Sequence, residues 1–208
     1  MVERKAFFDA VRKAFGPLGP DQVAGYNNIL DEWERRRLTD LRWLAYMLAT
    51  VKWETANTIQ PVREYGGENY LRSKKYYPWV GEGLVQVTWE VNHRKFGATK
   101  PGQMLTWPIA LRALFDGMLN GMFTGKALKH YFGAGVSDWI GARKIINGTD
   151  KASAIADIAR KFYSALLASK SSDVPPPPDI EPVPPKPQAS WLESILSSIL
   201  NTFRNRKG

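Results

Sequence analysis

The sequence predicts a mainly α domain with a small β element, followed by a Pro-rich linker and a C-terminal amphipathic helix. Three observations carry this prediction. Apolar residues recur at spacings of three and four in several segments of residues 1–169. The stretch 59–77 breaks that rhythm with Gly, Tyr and charge, and Gly83-Leu-Val-Gln-Val-Thr88 follows it as a short strand-like run. Eight of the 14 prolines lie between Pro175 and Pro187.

The first helix is expected over Glu3–Phe15, where Phe7, Phe8, Val11 and Phe15 share a face and Gly16-Pro17 stops the pattern. A second runs from Pro20 to Arg37 and ends in the charged run Glu32-Trp-Glu-Arg-Arg-Arg37, read as a solvated face. Asp40 is the expected N-cap of a third helix, Leu41–Thr55, whose apolar residues Leu41, Leu44, Ala45, Leu48 and Ala49 mark it for the core. Pro61 prevents helix continuation, so 59–77 reads as loop and short strand. A strand over Gly83–Thr88 leads into a helix over Trp89–Phe96. Pro108–Leu119, Thr124–Phe132, Trp139–Ile146 and Asp150–Ala168 complete the set of expected helices.

The proline run divides the chain into a body, 1–169, a linker, 170–189, and a tail, 190–208. Polyproline II rises about 3.1 Å per residue, which makes the run a semi-rigid spacer of about 40–50 Å. In the tail, Trp191, Leu192, Ile195, Leu196, Ile199, Leu200 and Phe203 recur at helical spacing ahead of Arg204, Arg206 and Lys207. That is an amphipathic helix with a basic end, too short to be stable alone, so it calls for a membrane surface, self-association, docking on the body or a protein partner.

Composition narrows the chemistry. The 208 residues contain no Cys and two His, His93 and His130, which leaves no material for disulfides, thiol catalysis or a His-rich metal centre. No metal and no cofactor is expected, and acid–base chemistry falls to carboxylates. The formal charge is +9; residues 170–208 hold five basic and four acidic side chains, so +8 belongs to the body. A basic body favours an anionic polymer. Nucleic acid ranks last, because Arg35–Arg37, Lys74-Lys75 and Arg143-Lys144 are scattered without a reading helix. The N-terminus shows no basic segment followed by an apolar stretch, so the chain is expected to lack a signal peptide.

Glu54 is the first catalytic candidate. It closes an apolar helix, and a carboxyl in such surroundings suits a general acid. Glu64 follows ten residues later on the far side of Pro61, where a reversal of the chain brings two carboxyls across a cleft. A separation of about 6.5–9.5 Å fits an inverting glycosidase, with one acid and one base that activates water. Glu68 and Glu82 compete for the second role. Around them Tyr65, Tyr70, Tyr76, Tyr77, Trp79, Gln86, Thr88, Trp89 and Asn92 supply ring faces, hydroxyls and amides suited to sugars. His93 reads as a surface or helix-face residue.

Three of these segments, taken together, carry a resemblance. Trp53-Glu-Thr-Ala56, Gly81-Glu-Gly-Leu-Val-Gln-Val-Thr-Trp-Glu-Val-Asn92 and Ala142-Arg-Lys-Ile-Ile-Asn-Gly148 resemble the three blocks of glycoside hydrolase family 19, which comprises lysozyme-like chitinases and bacteriophage endolysins. The resemblance covers roughly residues 20–168. It implies a lysozyme-like α+β fold, Glu54 as general acid, Glu64 as base or water-positioning group, sugar contacts from Gln86, Thr88 and Asn92, and Asn147 lining the cleft. Two positions depart from the family pattern: Trp53 stands where His is usual, and Glu82 where Arg is usual.

The expectation is therefore a peptidoglycan-degrading glycosidase of endolysin type. It would be made in a host bacterial cytoplasm and act at the cell wall after release by a holin-like helper or delivery by a virion. The two departures keep a second expectation open, a catalytically impaired wall-binding protein acting through its tail. A chitinase is the third.

Overall fold

The computed structural model describes residues 1–170; the sequence expectations for a linker reaching residue 189 and a helix over 190–208 fall, beyond Lys170, outside the described residues. The fold is mainly helical with a small β element. Its centre is α3 (Leu41–Glu54), in which Leu41 and every residue from Leu44 to Val51 are buried. A helix with so much apolar surface has to be covered on all sides. Asp40 caps it by accepting from Arg42 N at 3.0 Å.

Helix α7 (Ala152–Ala168) lies along α3, the most extensive pairing in the fold, and α1 (Arg4–Phe15) packs on α7. The sequence explains the close fit: α7 turns Ala152, Ala156, Ala159 and Ala165 inward beside Ile155, Phe162 and Leu166. Phe15 and Phe162 meet with ring centroids 4.7 Å apart. Each such large apolar side chain contributes roughly 1.5–3 kcal/mol when fully buried. Glu3 caps α1 through Lys5 N and Ala6 N. Before α2 (Pro20–Arg35), Gln22 accepts from the Gly19 N–H and Pro20 occupies the first turn, which needs no N–H. The α6 helix (Trp107–Asn120) starts the same way with Pro108, and ends at Gly121, whose φ of 69° supplies the left-handed cap.

The β element consists of two antiparallel pairs. β1 (Val62–Arg63) pairs with β2 (Glu82–Gly83), Val62 opposite Gly83 and Arg63 opposite Glu82. β3 (Phe132–Gly133) pairs with β4 (Val136–Ser137), and Arg42 Nη1 donates to Gly133 O and Val136 O, tying this hairpin to the start of α3. Two short helices, α4 (Glu68–Arg72) and α5 (Glu90–Lys95), flank the first pair.

Several sequence expectations are corrected. The run Gly83–Thr88 is not a strand: after Glu82–Gly83 the chain turns tightly, Glu82 and Val87 exchange backbone hydrogen bonds, and Gln86 takes φ 52°. Leu84, Val85 and Val87 are buried because the turn folds onto the core, not because they alternate across a sheet. The helix expected over Thr124–Phe132 reduces to one 3₁₀ turn, Leu128–His130, and that over Trp139–Ile146 to Gly141–Ile145. Gly125 weakens the first segment as a helix and Gly141 the second. Helix α4 arises inside the stretch read as loop. Among the described residues, no helix is long and apolar enough to cross a membrane.

Candidate active site

A cleft of about 440 Å³ opens between the C-terminal end of α3, the turn after β2, α5 and the segment that follows 3₁₀ turn Gly141–Ile145. Its lining brings together Glu54, Gln86, Thr88, Asn92 and Asn147, which are far apart in sequence, along with Trp89. Five of the sequence-predicted site residues thus share one cavity.

Glu54 enters as the last residue of α3 and is held by Arg143, whose Nη1 donates to Oε1 at 2.7 Å. The Arg143 side chain is 6 % exposed and that of Glu54 17 %. Arg143 Nε donates in turn to Asp150 O at 3.2 Å, which fixes the guanidinium against the chain leading into α7. One carboxylate oxygen is occupied by the cation; Oε2 accepts no hydrogen bond from the described residues.

The opposite wall is built by its own hydrogen bonds. Gln86 Nε2 donates to Val62 O at 3.0 Å and Gly83 O at 3.3 Å, so its amide pins the turn to β1. Thr88 Oγ1 donates to Gln86 O, and Asn92 Nδ2 donates to Thr88 O at 2.9 Å. Gln86 and Trp89 both have positive φ, 52° and 75°. For a bulky side chain this is a costly conformation that persists only where surroundings impose it. Here Trp89 N donates to Trp79 O at 2.9 Å, and the Trp89 ring, 48 % exposed, meets the Tyr76 ring edge-on at 5.5 Å. Thr124 Oγ1 donates to Lys144 O and Ile145 O, holding the segment that presents Ile146 and Asn147.

Glu64 lies outside this lining. Its Oε1 accepts from Tyr76 OH and its Oε2 from Gly81 N, each at 2.9 Å. The Glu64 N–H also donates to Gly81 O. A Cβ placed on Gly81 would lie 2.9 Å from Gln86 Oε1 and 3.4 Å from Glu64 Oε2, so the bare Gly81 backbone is what separates the second carboxylate from the cleft wall. Desolvation, and secondarily the bond to Glu64, push the Tyr76 hydroxyl up to about 12, which keeps it a donor.

The rival carboxylates are placed elsewhere. Glu68 sits on the exposed first turn of α4 and is engaged by Arg63, Arg72 and Tyr77. Glu82, the other competitor, is buried at 1 % exposure. Both its oxygens accept from Gly102 N, at 2.8 and 2.9 Å. His93, read as a surface residue, is fully buried beside it. Tyr65, expected to bind sugar, is exposed and does not line the cleft; its OH donates to Thr55 O at 3.5 Å. Trp53 is exposed and does not line the cleft.

Arg143 is the partner of Glu54 that sequence reasoning missed. It was visible as one of the scattered basic residues and inside the third block, but nothing local pairs it with an acid 89 positions earlier. Among the described residues, no group of three or more Asp, Glu, His or Cys is placed to hold a metal ion. Comparison with protein-family models, with curated proteins and with solved structures gave no match.

Proposed function

We propose that this protein is a glycoside hydrolase of lysozyme-like fold that cleaves the glycan strands of peptidoglycan. The observation that carries the reading is the shared cleft: Glu54, Gln86, Thr88, Asn92 and Asn147, drawn from the three sequence blocks, line one cavity. Its walls offer amides and hydroxyls for sugar hydroxyl and N-acetyl groups, and Trp89 offers an exposed ring face.

In this reading Glu54 protonates the leaving glycosidic oxygen. Arg143, 2.7 Å from Oε1, compensates the negative charge that Glu54 acquires as the proton departs, an interaction that strengthens along the reaction and so favours the transition state. Glu64 is the second carboxylate. With Tyr76 OH and Gly81 N–H on its two oxygens, it retains lone pairs to accept a proton from water. Attack by that water opposite the leaving group gives inversion. The +8 of the body suits an anionic wall polymer.

The test is clearing of purified peptidoglycan by wild type and Glu54→Gln, with mass spectrometry of the products to identify the reducing-end sugar. Equal clearing by both proteins would sink the assignment. Glu64 also favours a second reading, because both its oxygens are already engaged and it does not line the cleft. A cleft with one free acid binds glycan without turning it over. Peptidoglycan pull-down with no released sugar would select that reading.

A further inference from the structure

Beneath the cleft wall lies a couple that the proposed chemistry does not use. His93, on α5, points Nε2 at two carbonyls, Val87 O at 2.7 Å and Val80 O at 3.2 Å. Both are acceptors, so Nε2 carries the hydrogen and donates. That leaves Nδ1, which is buried, without a hydrogen-bond partner and 3.9 Å from Glu82 Oε2. The two side chains are 0 % and 2 % exposed. If Nδ1 is bare and Glu82 ionised, a lone pair faces an anion inside the protein, an arrangement that burial makes costly. A proton on either atom removes the conflict.

We propose that Glu82 and His93 hold one proton between them and that this proton positions the cleft wall. With the proton on Nδ1 the couple is an imidazolium facing a carboxylate; with it on Oε2, a neutral acid facing a neutral imidazole. Release to solvent leaves a net negative charge in the interior. The couple grips the wall at three points. His93 Nε2–H joins the two arms of the turn at Val80 and Val87, next to Gly81 and Thr88. Glu82 forms the backbone pair with Val87 and the β1 register with Arg63. Its carboxylate holds Gly102 N, at the start of the 3₁₀ turn Gln103–Leu105. Asn92, which lines the cleft, is the neighbour of His93 in α5.

Burial keeps the proton with the couple against its charged and polar neighbours. The charged groups that face it are Arg63, which acts on Glu82 from β1, and Arg94, which lies over the Trp79 ring at 5.8 Å while that ring meets His93 edge-on at 5.2 Å. The Gly102 and Met104 N–H groups favour a carboxylate at Glu82, but desolvation outweighs them and pushes its carboxyl up from the ordinary value. Replacement of Glu82 by the neutral Gln preserves shape, offers an N–H to Nδ1 and an oxygen to Gly102 N, and removes the shared proton.

Nuclear magnetic resonance of the full chain tests this directly. The ring nitrogens of His93 and the carboxyl carbon of Glu82 are followed from acid to alkaline pH, with the exposed His130 as internal reference. One common titration step at both residues is expected, with the backbone amides of Gln86, Thr88 and Asn92 shifting in the same step. In Glu82→Gln the His93 step and the amide shifts vanish. Separate titrations at the two residues, a bare Nδ1 beside an ionised Glu82 throughout, or amides that ignore the step would overturn the proposal. Because the readout is the wall itself, this result stands apart from whether the cleft cleaves a glycan.

Discussion

Arg143 Nη1 and Glu54 Oε1 meet at 2.7 Å across 89 residues of sequence, and Glu54 carries the pair to the lining of the cleft. The pair joins the end of the central helix to the segment that carries Asn147, so cleft geometry and fold stability depend on the same contact. Removing one member of a largely buried ion pair leaves the other uncompensated and costs about 3–5 kcal/mol. Arg143→Met is therefore expected to lower the denaturant midpoint sharply. Adding Glu54→Gln to it should recover part of the loss, and a double-mutant cycle measures the coupling.

Glu54→Gln by itself leaves Arg143 without its anion, so it should also lower the denaturant midpoint, and under conditions where it is folded it is expected to lose about 10²–10⁴-fold in hydrolysis, the usual yield of a general acid. Arg143→Lys keeps the charge without the fixed fork. It should fall between wild type and the Glu54 variant in turnover, read from release of soluble reducing sugar.

Glu64 and Tyr76 separate chemistry from support. Tyr76→Phe removes one donor to a carboxylate, a change of about 1.5–3 kcal/mol, and leaves Gly81 N–H in place. Its activity should drop less than that of Glu64→Gln. The Tyr76 hydroxyl lies near 12, above the ordinary 10, so the stability it contributes is complete below pH 10 and is lost only as pH rises through the folded value. The difference in unfolding free energy between wild type and Tyr76→Phe should thus stay flat from pH 5 to 9.

Two carboxylates shape the pH–stability curve in opposite senses. The hydrogen bond from Arg35 first, with help from Arg36, holds Glu32 below its ordinary 4.5. Its contribution is present above that value and is lost as pH falls through the lowered one. Burial holds Glu82 above 4.5, so its contribution is full below 4.5 and is lost as pH rises through the raised value. Glu32→Gln should flatten the acid limb of a thermal-melting series, and Glu82→Gln the decline that begins as pH rises above 4.5.

Gly117, in α6, backs the cleft: a Cβ there would fall 2.2 Å from the ring of Phe123, which lines the cavity. Gly117→Ala forces that ring to move, with an overpacking cost of about 1–3 kcal/mol. Thermal melting should show the loss. Oligosaccharide affinity should change with it, whereas a surface Gly125→Ala, with open space around its Cβ but a left-handed φ of 79°, should affect stability without altering affinity.

The legible parts of this fold are those written in local periodicity. Helices α1, α2, α3, α6 and α7 follow from apolar spacing, and the Asp40 cap and the Pro20 and Pro108 starts sit where the residues predict. The turn at Leu84-Val85-Gln86-Val87 was not legible, because a buried turn and a buried strand present the same apolar run; only the left-handed φ of Gln86 distinguishes them. Of the residues that line the cleft, Glu54, Gln86, Thr88, Trp89 and Asn92 stand out by type and place in the sequence, and Asn147 only through the resemblance of the third block. The partners of the acids do not: Arg143 for Glu54, Tyr76 and Gly81 for Glu64, and His93 for Glu82 are tertiary pairings with no local signal. Glu82 illustrates the limit, since a charged residue between two glycines reads as an exposed loop and becomes interior only when Gly102 closes over it.

The backbone bridge between Val2 and Lys170, reinforced by Glu3 N donating to Ser169 O at 2.9 Å, makes the described body a closed circuit. Antiparallel partners lie about 5 Å apart, so a segment joined before Val2 and one joined after Lys170 leave from a single spot. Adjacent ends of this kind are what circular permutation requires, so a permutant that joins Lys170 to Val2 and opens the chain at a surface loop is expected to fold with the cleft whole, as read by thermal melting.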